Sequence, residues 1–341
     1  MTDVGLTGFG TYVPEQVLTG EEIAAASGIP EAVVIEKMGI RKKRVPPPDD
    51  DHASDMCLAA AETALEDAGV DPRELDLVVY HGSEYKDFVV WSLAADLQDR
   101  LGAENAYATE SHTLCASAPV AFRQVRSQLR ADPALDRALL VTATREADLI
   151  DYELERSSFM FNFGTGAAAA VLEADPGDRA RATVHRSAAV TDGSFSRDVI
   201  MPAGGSLEPP SRETVDADRH RLDVPDHEGM KERLAPVSLP NFLAVADAAL
   251  ERSGFAREDV DFAALTHMKR SFHESLFAEF GLDPATDGYY LSEYGHVQSA
   301  DQLLALEAGL GEGRLGPGDL VLFLAAGTGY TWAGTVLTWQ G

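Results

Sequence analysis

Residues 105–119 read Asn105-Ala106-Tyr107-Ala108-Thr109-Glu110-Ser111-His112-Thr113-Leu114-Cys115-Ala116-Ser117-Ala118-Pro119, and a helix-forming run follows from Ala118 to Leu129. A strand near Asn105 to Thr109 therefore leads through a short polar stretch into a helix, with Cys115 at the junction. A thiol at the start of a helix faces unpaired backbone N–H groups and the positive end of the helix dipole. Both favour thiolate, the form of cysteine that acts as a nucleophile. The small residues after it leave room for a substrate. A buried, inert thiol fits this segment equally well.

The pattern of strand then helix extends in both directions. Val4 to Pro14 is a glycine-studded strand ending in a turn. A helix is expected from Gly20 to Met38, and Pro46-Pro47-Pro48-Asp49-Asp50-Asp51 is an exposed loop, because proline can continue neither helix nor central strand. Apolar residues recur at helical spacing from Ser54 to Ala68, and Gly69 supplies the stop. Strands follow at 75–80, 137–142, 163–172, 182–190, 262–266, 320–325 and 331–339, with helices at 91–101, 241–253, 271–280 and 299–310. Gly204 to Ala235, rich in Asp, Arg and Pro, reads as a long surface loop or an insertion near the substrate entrance. Such alternation predicts a layered α/β fold, and two halves of similar order suggest duplication.

Composition narrows the partners. The 341 residues are long enough for two halves or domains, and 45% are hydrophobic, as in an ordinary globular protein. No stretch reaches the length of a membrane span, and Met-Thr-Asp-Val at the start lacks the features of a secretory signal. A cytoplasmic protein is the expectation. The net charge of −28 argues against nucleic acid or an anionic membrane as partner. An acidic chain with few lysines also suits concentrated salt, where self-repulsion is screened, so a halophilic protein is expected. Two cysteines suggest no disulfide framework, and Cys57 falls inside a helical pattern, where core packing is its expected role. No histidine or cysteine spacing resembles a metal site.

Two further segments carry candidate chemistry. Leu265-Thr266-His267-Met268-Lys269-Arg270 places His267 just past an apolar strand. Glu293-Tyr294-Gly295-His296-Val297-Gln298-Ser299-Ala300-Asp301 places His296 between a glycine and a helix. Strand ends are the usual seats of functional groups in α/β folds, though a structural histidine is common there too. Gly327-Thr328-Gly329-Tyr330-Thr331-Trp332 is a tight turn able to bring a backbone N–H to an oxyanion. Its spacing matches neither a phosphate loop nor a dinucleotide fingerprint.

In this order, these segments resemble the thiolase superfamily, most closely its β-ketoacyl-acyl carrier protein synthase III branch. Gly8 to Pro14 is similar to that family's opening Gly-x-Tyr-x-Pro strand, and Gly39-Ile40-Arg41 with Arg44 to its Gly-Ile-x-x-Arg segment. Phe163-Gly164-Thr165-Gly166-Ala167 resembles Phe-Gly-Asp-Gly-Ala, and Gly329-Tyr330-Thr331-Trp332 resembles Gly-Phe-Thr-Trp. Thr191-Asp192-Gly193-Ser194 and Pro202-Ala203-Gly204-Gly205-Ser206 fit as well. Two motifs depart. Thr266 and Met268-Lys269-Arg270 flank the histidine of Pro-His-Gln-Ala-Asn, and Tyr294-Gly295-His296-Val297-Gln298 stands for His-Gly-Asn-Thr-Ser, so His296 replaces an asparagine.

The resemblance implies a five-layered α-β-α-β-α sandwich of two duplicated halves, 1–175 carrying the nucleophile and 176–341 carrying both histidines, usually as a homodimer. It implies a ping-pong condensing enzyme in which Cys115 takes an acyl group from acyl-CoA or an acyl carrier protein. His267 and His296 would then stabilise the enolate of a second thioester, a Cys-His-His set as in elongating β-ketoacyl synthases. Backbone N–H groups of Cys115 and Gly329 would form the oxyanion hole. Arg41, Trp91 and Arg270 are substrate-binding candidates by position: guanidinium pairs with phosphate, and indole covers adenine. No cofactor and no metal are expected, the thioester being substrate. Three alternatives remain open. One is a 3-hydroxy-3-methylglutaryl-CoA synthase-like enzyme, in which Gly82 falls at the catalytic glutamate position and Glu84 lies two residues on. The others are acyl transfer to an oxygen or nitrogen nucleophile, and a non-catalytic subunit of an acyltransferase complex.

Overall fold

Gly8 and Gly10 let a helix lie directly on the first strand: a Cβ at Gly8 would stand 2.6 Å from the Ala64 carbonyl oxygen, and one at Gly10 2.6 Å from that of Ala60. The computed structural model describes residues 2–341. The first half contains β1 (Val4–Tyr12), β2 (Val17–Thr19), α1 (Gly20–Ser27), β3 (Lys42–Arg44), α2 (Ala53–Ala68), β4 (Leu77–Gly82), α3 (Leu93–Leu101), β5 (Tyr107–His112), α4 (Ser117–Ala131), β6 (Arg137–Thr144) and β7 (Gly166–Ala174). The second contains β8 (Ala182–Thr191), α5 (Arg212–Asp216), α6 (His227–Ser253), β9 (Phe262–Leu265), α7 (Arg270–Phe280), α8 (Asp301–Gly311), β10 (Leu320–Gly327) and β11 (Thr331–Trp339).

Nine strands hydrogen-bond in the order β5-β4-β6-β7-β1-β8-β11-β10-β9. On one side β4 is parallel to β5 and β6, while β7 is antiparallel to β6 and β1. On the other side β9 is parallel to β10, and β11 is antiparallel to β10 and β8. The second side thus repeats the order of the first, and a lone parallel bridge from Ala263 to Gly288 lies where a fifth strand would stand. Among the described residues the two sides pair at two positions, Gly5 with Thr183 and Leu6 with Ala182.

Helices complete the layers. Helices α2 and α3 pack on the outer face of the first side through Ala60, Ala64, Leu93 and Leu97. Helices α4 and α8 lie between the sides, where Phe122, Val125, Leu303 and Leu306 pack with the strand residues Val79, Phe262 and Phe323. Helices α6 and α7 cover the outer face of the second side through Phe242, Val245, Leu276 and Phe277. This is the expected α-β-α-β-α sandwich. Each fully buried Leu, Val or Phe in it contributes about 1.5–3 kcal/mol. No helix among the described residues is long and apolar enough to cross a membrane.

Three sequence expectations are corrected. The helix expected from Gly20 to Met38 breaks at Gly28, which adopts the left-handed conformation (φ 70°), and a separate short turn spans Val33–Lys37. The strand expected from Phe163 starts at Gly166, because the preceding backbone pairs with His296 instead: Gly164 N donates to the His296 carbonyl (2.9 Å). The polar loop expected up to Ala235 ends at Asp226, whose side chain accepts from Gly229 N (3.0 Å) and caps α6. That helix runs through Pro236 and Pro240 to Ser253. Packing overrides the prolines' lost hydrogen bonds, since Met230 is buried and Leu234 and Val237 rest on the core.

On β4, His81 is 2% exposed and its Nδ1 has no partner. Burial pushes its pKa from 6.5 down to about 3. As pH falls below 6.5 the unfolded chain binds this proton and the folded chain does not. His81 therefore lowers stability by about 1.4 kcal/mol per pH unit over that window. Urea unfolding at pH 7 and pH 5 should show His81→Leu losing roughly 2 kcal/mol less than the wild type. Equal losses would refute the assignment.

Candidate active site

Strand β5 ends at His112, and Leu114–Ala116 make one 3₁₀ turn before α4 starts at Ser117. Leu114 takes the left-handed backbone conformation (φ 52°). That conformation costs an L-residue about 1–2 kcal/mol. Ser117 holds the turn, its hydroxyl accepting from Thr113 N (2.9 Å) and donating to the Gly82 carbonyl (3.3 Å). Gly327, at the end of β10, closes the other side: a Cβ there would lie 3.1 Å from Cys115 N and strike the Thr113 carbonyl. The turn is thereby clamped between the two sides of the fold, with Cys115 5% exposed.

His296 lies beside the sulfur, its Nε2 3.1 Å from Cys115 Sγ. Its Nδ1 is 2.6 Å from Oδ2 of Asp301, a fully buried carboxylate at the start of α8. Asp301 also accepts from His267 N at Oδ2 (2.7 Å) and from Val297 N at Oδ1 (2.7 Å). Burial opposes charge on His296, but the charges of Asp301 and Cys115 and the hydrogen bonds to both outweigh it. The imidazole is held well above its ordinary pKa. A thiol proton passed to such a histidine leaves a thiolate paired with imidazolium.

His267 is buried, and neither ring nitrogen has a protein partner. Burial, then the neighbouring His296, His273 and Arg270, keep its pKa well below the ordinary value. It is therefore neutral, able to donate one hydrogen bond. Its ring packs 4.6 Å from that of Tyr290, whose hydroxyl donates to the Met268 carbonyl (2.9 Å).

The chain between Phe161 and Gly164 is fastened to His296. His296 N donates to the Asn162 carbonyl (2.7 Å), and the Phe163 ring meets the imidazole edge-on at 5.1 Å. Gly295 permits this approach: its φ is 78°, and a Cβ would stand 2.5 Å from the Asn162 carbonyl oxygen. Beneath Phe163, the fully buried Lys43 donates to the Phe163 carbonyl (2.6 Å), and burial pulls its pKa down to about 7.

These groups meet in a cavity of about 560 Å³. Cys115, His267, His296, Asn162, Phe163 and Tyr330 line it, with Met230, Leu234 and Phe242 of α6 forming an apolar wall and Lys231 and Lys269 among its polar groups. Of the expected residues, Cys115, His267 and His296 are brought together. Gly329 sits between two lining residues, Thr328 and Tyr330. Arg41 is exposed and outside the lining, and Arg270 heads α7 with its guanidinium over the Tyr290 ring (4.6 Å). Trp91 packs instead against the outer α2–α3 core and the Phe88 ring, because its segment leads into α3 rather than toward the cavity. Among the described residues no carboxylate lines the cavity, and Glu84 points away to His112 Nδ1 (2.6 Å). Cys57 is a core residue whose thiol pKa burial pushes up.

Sequence reasoning missed Asp301 and Asn162. Asp301 had one signal: a lone acid heading the otherwise apolar run Leu303-Leu304-Ala305-Leu306, five residues after His296. Asn162 had none, since its place depends on the pairing of two distant segments.

Known proteins resemble this chain along its length. The family model described as 3-oxoacyl-[acyl-carrier-protein (ACP)] synthase III matches residues 110–193, and that of its C-terminal part matches residues 250–339. The beta-ketoacyl-[acyl-carrier-protein] synthase III of Desulfitobacterium hafniense is 28% identical over 340 residues, covering 100% of this chain and 99% of that one. A solved 3-oxoacyl-(acyl-carrier-protein) synthase III superposes with a TM-score of 0.84 at 26% identity, covering 99% of this chain and 100% of that one. The priming beta-ketosynthase of the R1128 polyketide pathway does so with a TM-score of 0.82 at 26% identity, covering 99% and 96%.

The geometry assigns Asp301 the positioning of His296. Asp301→Asn removes the carboxylate but keeps the shape, so acyl transfer should fall by roughly 10²–10⁴-fold. Alkylation of Cys115 by iodoacetamide near neutral pH should slow alongside, while Cys57 stays unreactive. An alkylation rate and pH profile matching the wild type would show that Asp301 does not act through His296.

Proposed function

The chain belongs to the thiolase superfamily, among the 3-oxoacyl-[acyl-carrier-protein] synthase III-like condensing acyltransferases, and we propose that it works through an acyl-enzyme on Cys115. The line Cys115–His296–Asp301, facing His267 across one cavity, carries this reading. His296 takes the thiol proton, and the thiolate attacks the carbonyl of an acyl thioester. The N–H groups of Cys115 and Gly329 hold the oxyanion, each such donor being worth about 3 kcal/mol. The leaving thiolate departs with the proton from His296. In the second half-reaction, His267 donates to the enolate oxygen of another thioester, beside His296. The enolate carbon attacks the acyl group and releases Cys115. Holding both partners in one cavity supplies a comparable share of the rate.

The donor is acyl-CoA or an acyl carrier protein. Lys231 and Lys269 at the cavity support an anionic, phosphate-bearing carrier, on a chain whose net charge is −28. A homodimer is part of the proposal. Strand β5 is an unpaired sheet edge, and the nearby Phe88, Val89 and Val90 are 65%, 87% and 101% exposed. A second copy of the chain suits both features. Sedimentation should show Val89→Asp/Val90→Lys shifting toward monomer; a wild type that is already monomeric would end that part of the reading.

One observation favours a second reading. With Nδ1 committed to Asp301 (2.6 Å), His296 in the acyl-enzyme turns a lone pair toward the cavity. That suits a base for a hydroxyl or amine acceptor. Intact mass after incubation with a panel of acyl-CoAs should show an adduct in the wild type and none in Cys115→Ala. Discharge of that adduct by malonyl-CoA gives the condensing reading, and discharge only by alcohols or amines gives the other. Turnover by Cys115→Ala would rule out the covalent route.

A further inference from the structure

Enolate stabilisation calls for hydrogen-bond donors on the thioester oxygen, and His296 is poorly placed to be one. Asp301 holds its Nδ1–H, so the cavity sees only Nε2. In the free enzyme Nε2 faces the Cys115 sulfur at 3.1 Å. Once the leaving thiolate has taken the Nε2 proton, that atom carries a lone pair, an acceptor that cannot bond to an enolate oxygen. His267 remains as one donor, neutral and unpartnered. A second donor has to come from another lining residue.

We infer that the side-chain amide of Asn162 is that donor, binding the thioester oxygen of the second substrate together with His267. Asn162 lines the same cavity as Cys115, His267 and His296, and is 7% exposed. Among the described residues its Oδ1 is buried with no hydrogen-bond partner, while Nδ2, the atom that donates, is bonded to no protein group and is not among the fully buried atoms. Folded proteins rarely leave a buried amide unsatisfied, and one left so beside a reaction cavity keeps its N–H groups free for a ligand. Its position is set with care: its own carbonyl accepts from His296 N (2.7 Å), and Lys43 braces the adjoining Phe163 carbonyl (2.6 Å). The Asn162 main chain is thereby fastened to that of His296, which faces Cys115.

A malonyl-type thioester supplies the enolate by decarboxylation. The bond to the carboxylate breaks, carbon dioxide leaves, and the electron pair becomes the enolate, its oxygen held by the Asn162 amide N–H and His267. The enolate carbon then attacks the acyl carbonyl on Cys115, and the tetrahedral adduct collapses to a β-ketoacyl thioester and Cys115 thiolate. This inference rests on the acyl-enzyme reading above.

Single-turnover experiments separate the two. Wild type, Asn162→Leu and Asn162→Asp would each be loaded from an acyl-CoA, followed by intact mass, then desalted and mixed with malonyl-CoA. The expected result is normal loading of Cys115 in all three. Discharge should be slowed on the order of 10²-fold in both variants, the loss typical of one oxyanion donor. The melting temperature of Asn162→Leu should be unchanged or higher, because an unsatisfied buried amide has been removed. Discharge at the wild-type rate in both variants would overturn the inference and leave the acyl-enzyme intact. Loading and discharge falling together, with a lower melting temperature, would make Asn162 structural and also overturn it. A wild type that forms no Cys115 adduct from any donor would overturn the acyl-enzyme reading itself, and the inference with it.

Discussion

A single carboxylate organises the reaction centre. Asp301 is fully buried, and burial of an unpaired charge costs several kcal/mol. Its two oxygens are satisfied by the His296 ring and by the backbone N–H groups of Val297 and His267. The same three bonds place both histidines, one by its ring and one by its main chain. They also fix the His296 tautomer, which decides what that residue can do at each stage. Removing the charge would leave an imidazole without orientation and a strand end without an anchor.

The two histidines are driven apart by their surroundings. His296 gains protonation from Asp301 and the sulfur, while His267 loses it to burial and to the cations around it. One cavity thus holds a strong acceptor of the thiol proton and a neutral hydrogen-bond donor a short distance away. Opposed environments of this kind are how a site assigns separate acid–base roles to like residues. The surrounding acidic surface takes no part, since among the described residues no carboxylate reaches the cavity lining.

Local signals in the chain are legible where backbone geometry leaves little choice. Gly69 stops α2 in the left-handed conformation (φ 62°), as helix spacing followed by glycine predicts. The apolar runs of β4, β6 and β10 are central strands, buried on both faces. They mislead where distant packing overrides local preference. The polar composition of 204–235 argues for a loop, yet from His227 onward an apolar face has a core to bury against. Trp91 has the chemistry to cover an adenine, yet its segment turns toward the outer helices.

The sequence by itself determined the strand-and-helix order, the glycine-studded first strand that α2 can approach closely, and a cysteine at a helix start. Those follow from steric limits on each residue and from the spacing of apolar side chains. Only the tertiary structure decided which groups meet that cysteine. His296 comes from 181 positions along the chain, and Asp301 from five beyond that. Asn162 joins them through a backbone pairing that no periodicity announces. Such meetings depend on how two sheet sides close on a shared helical layer, and that closure is a property of the whole core rather than of any one segment.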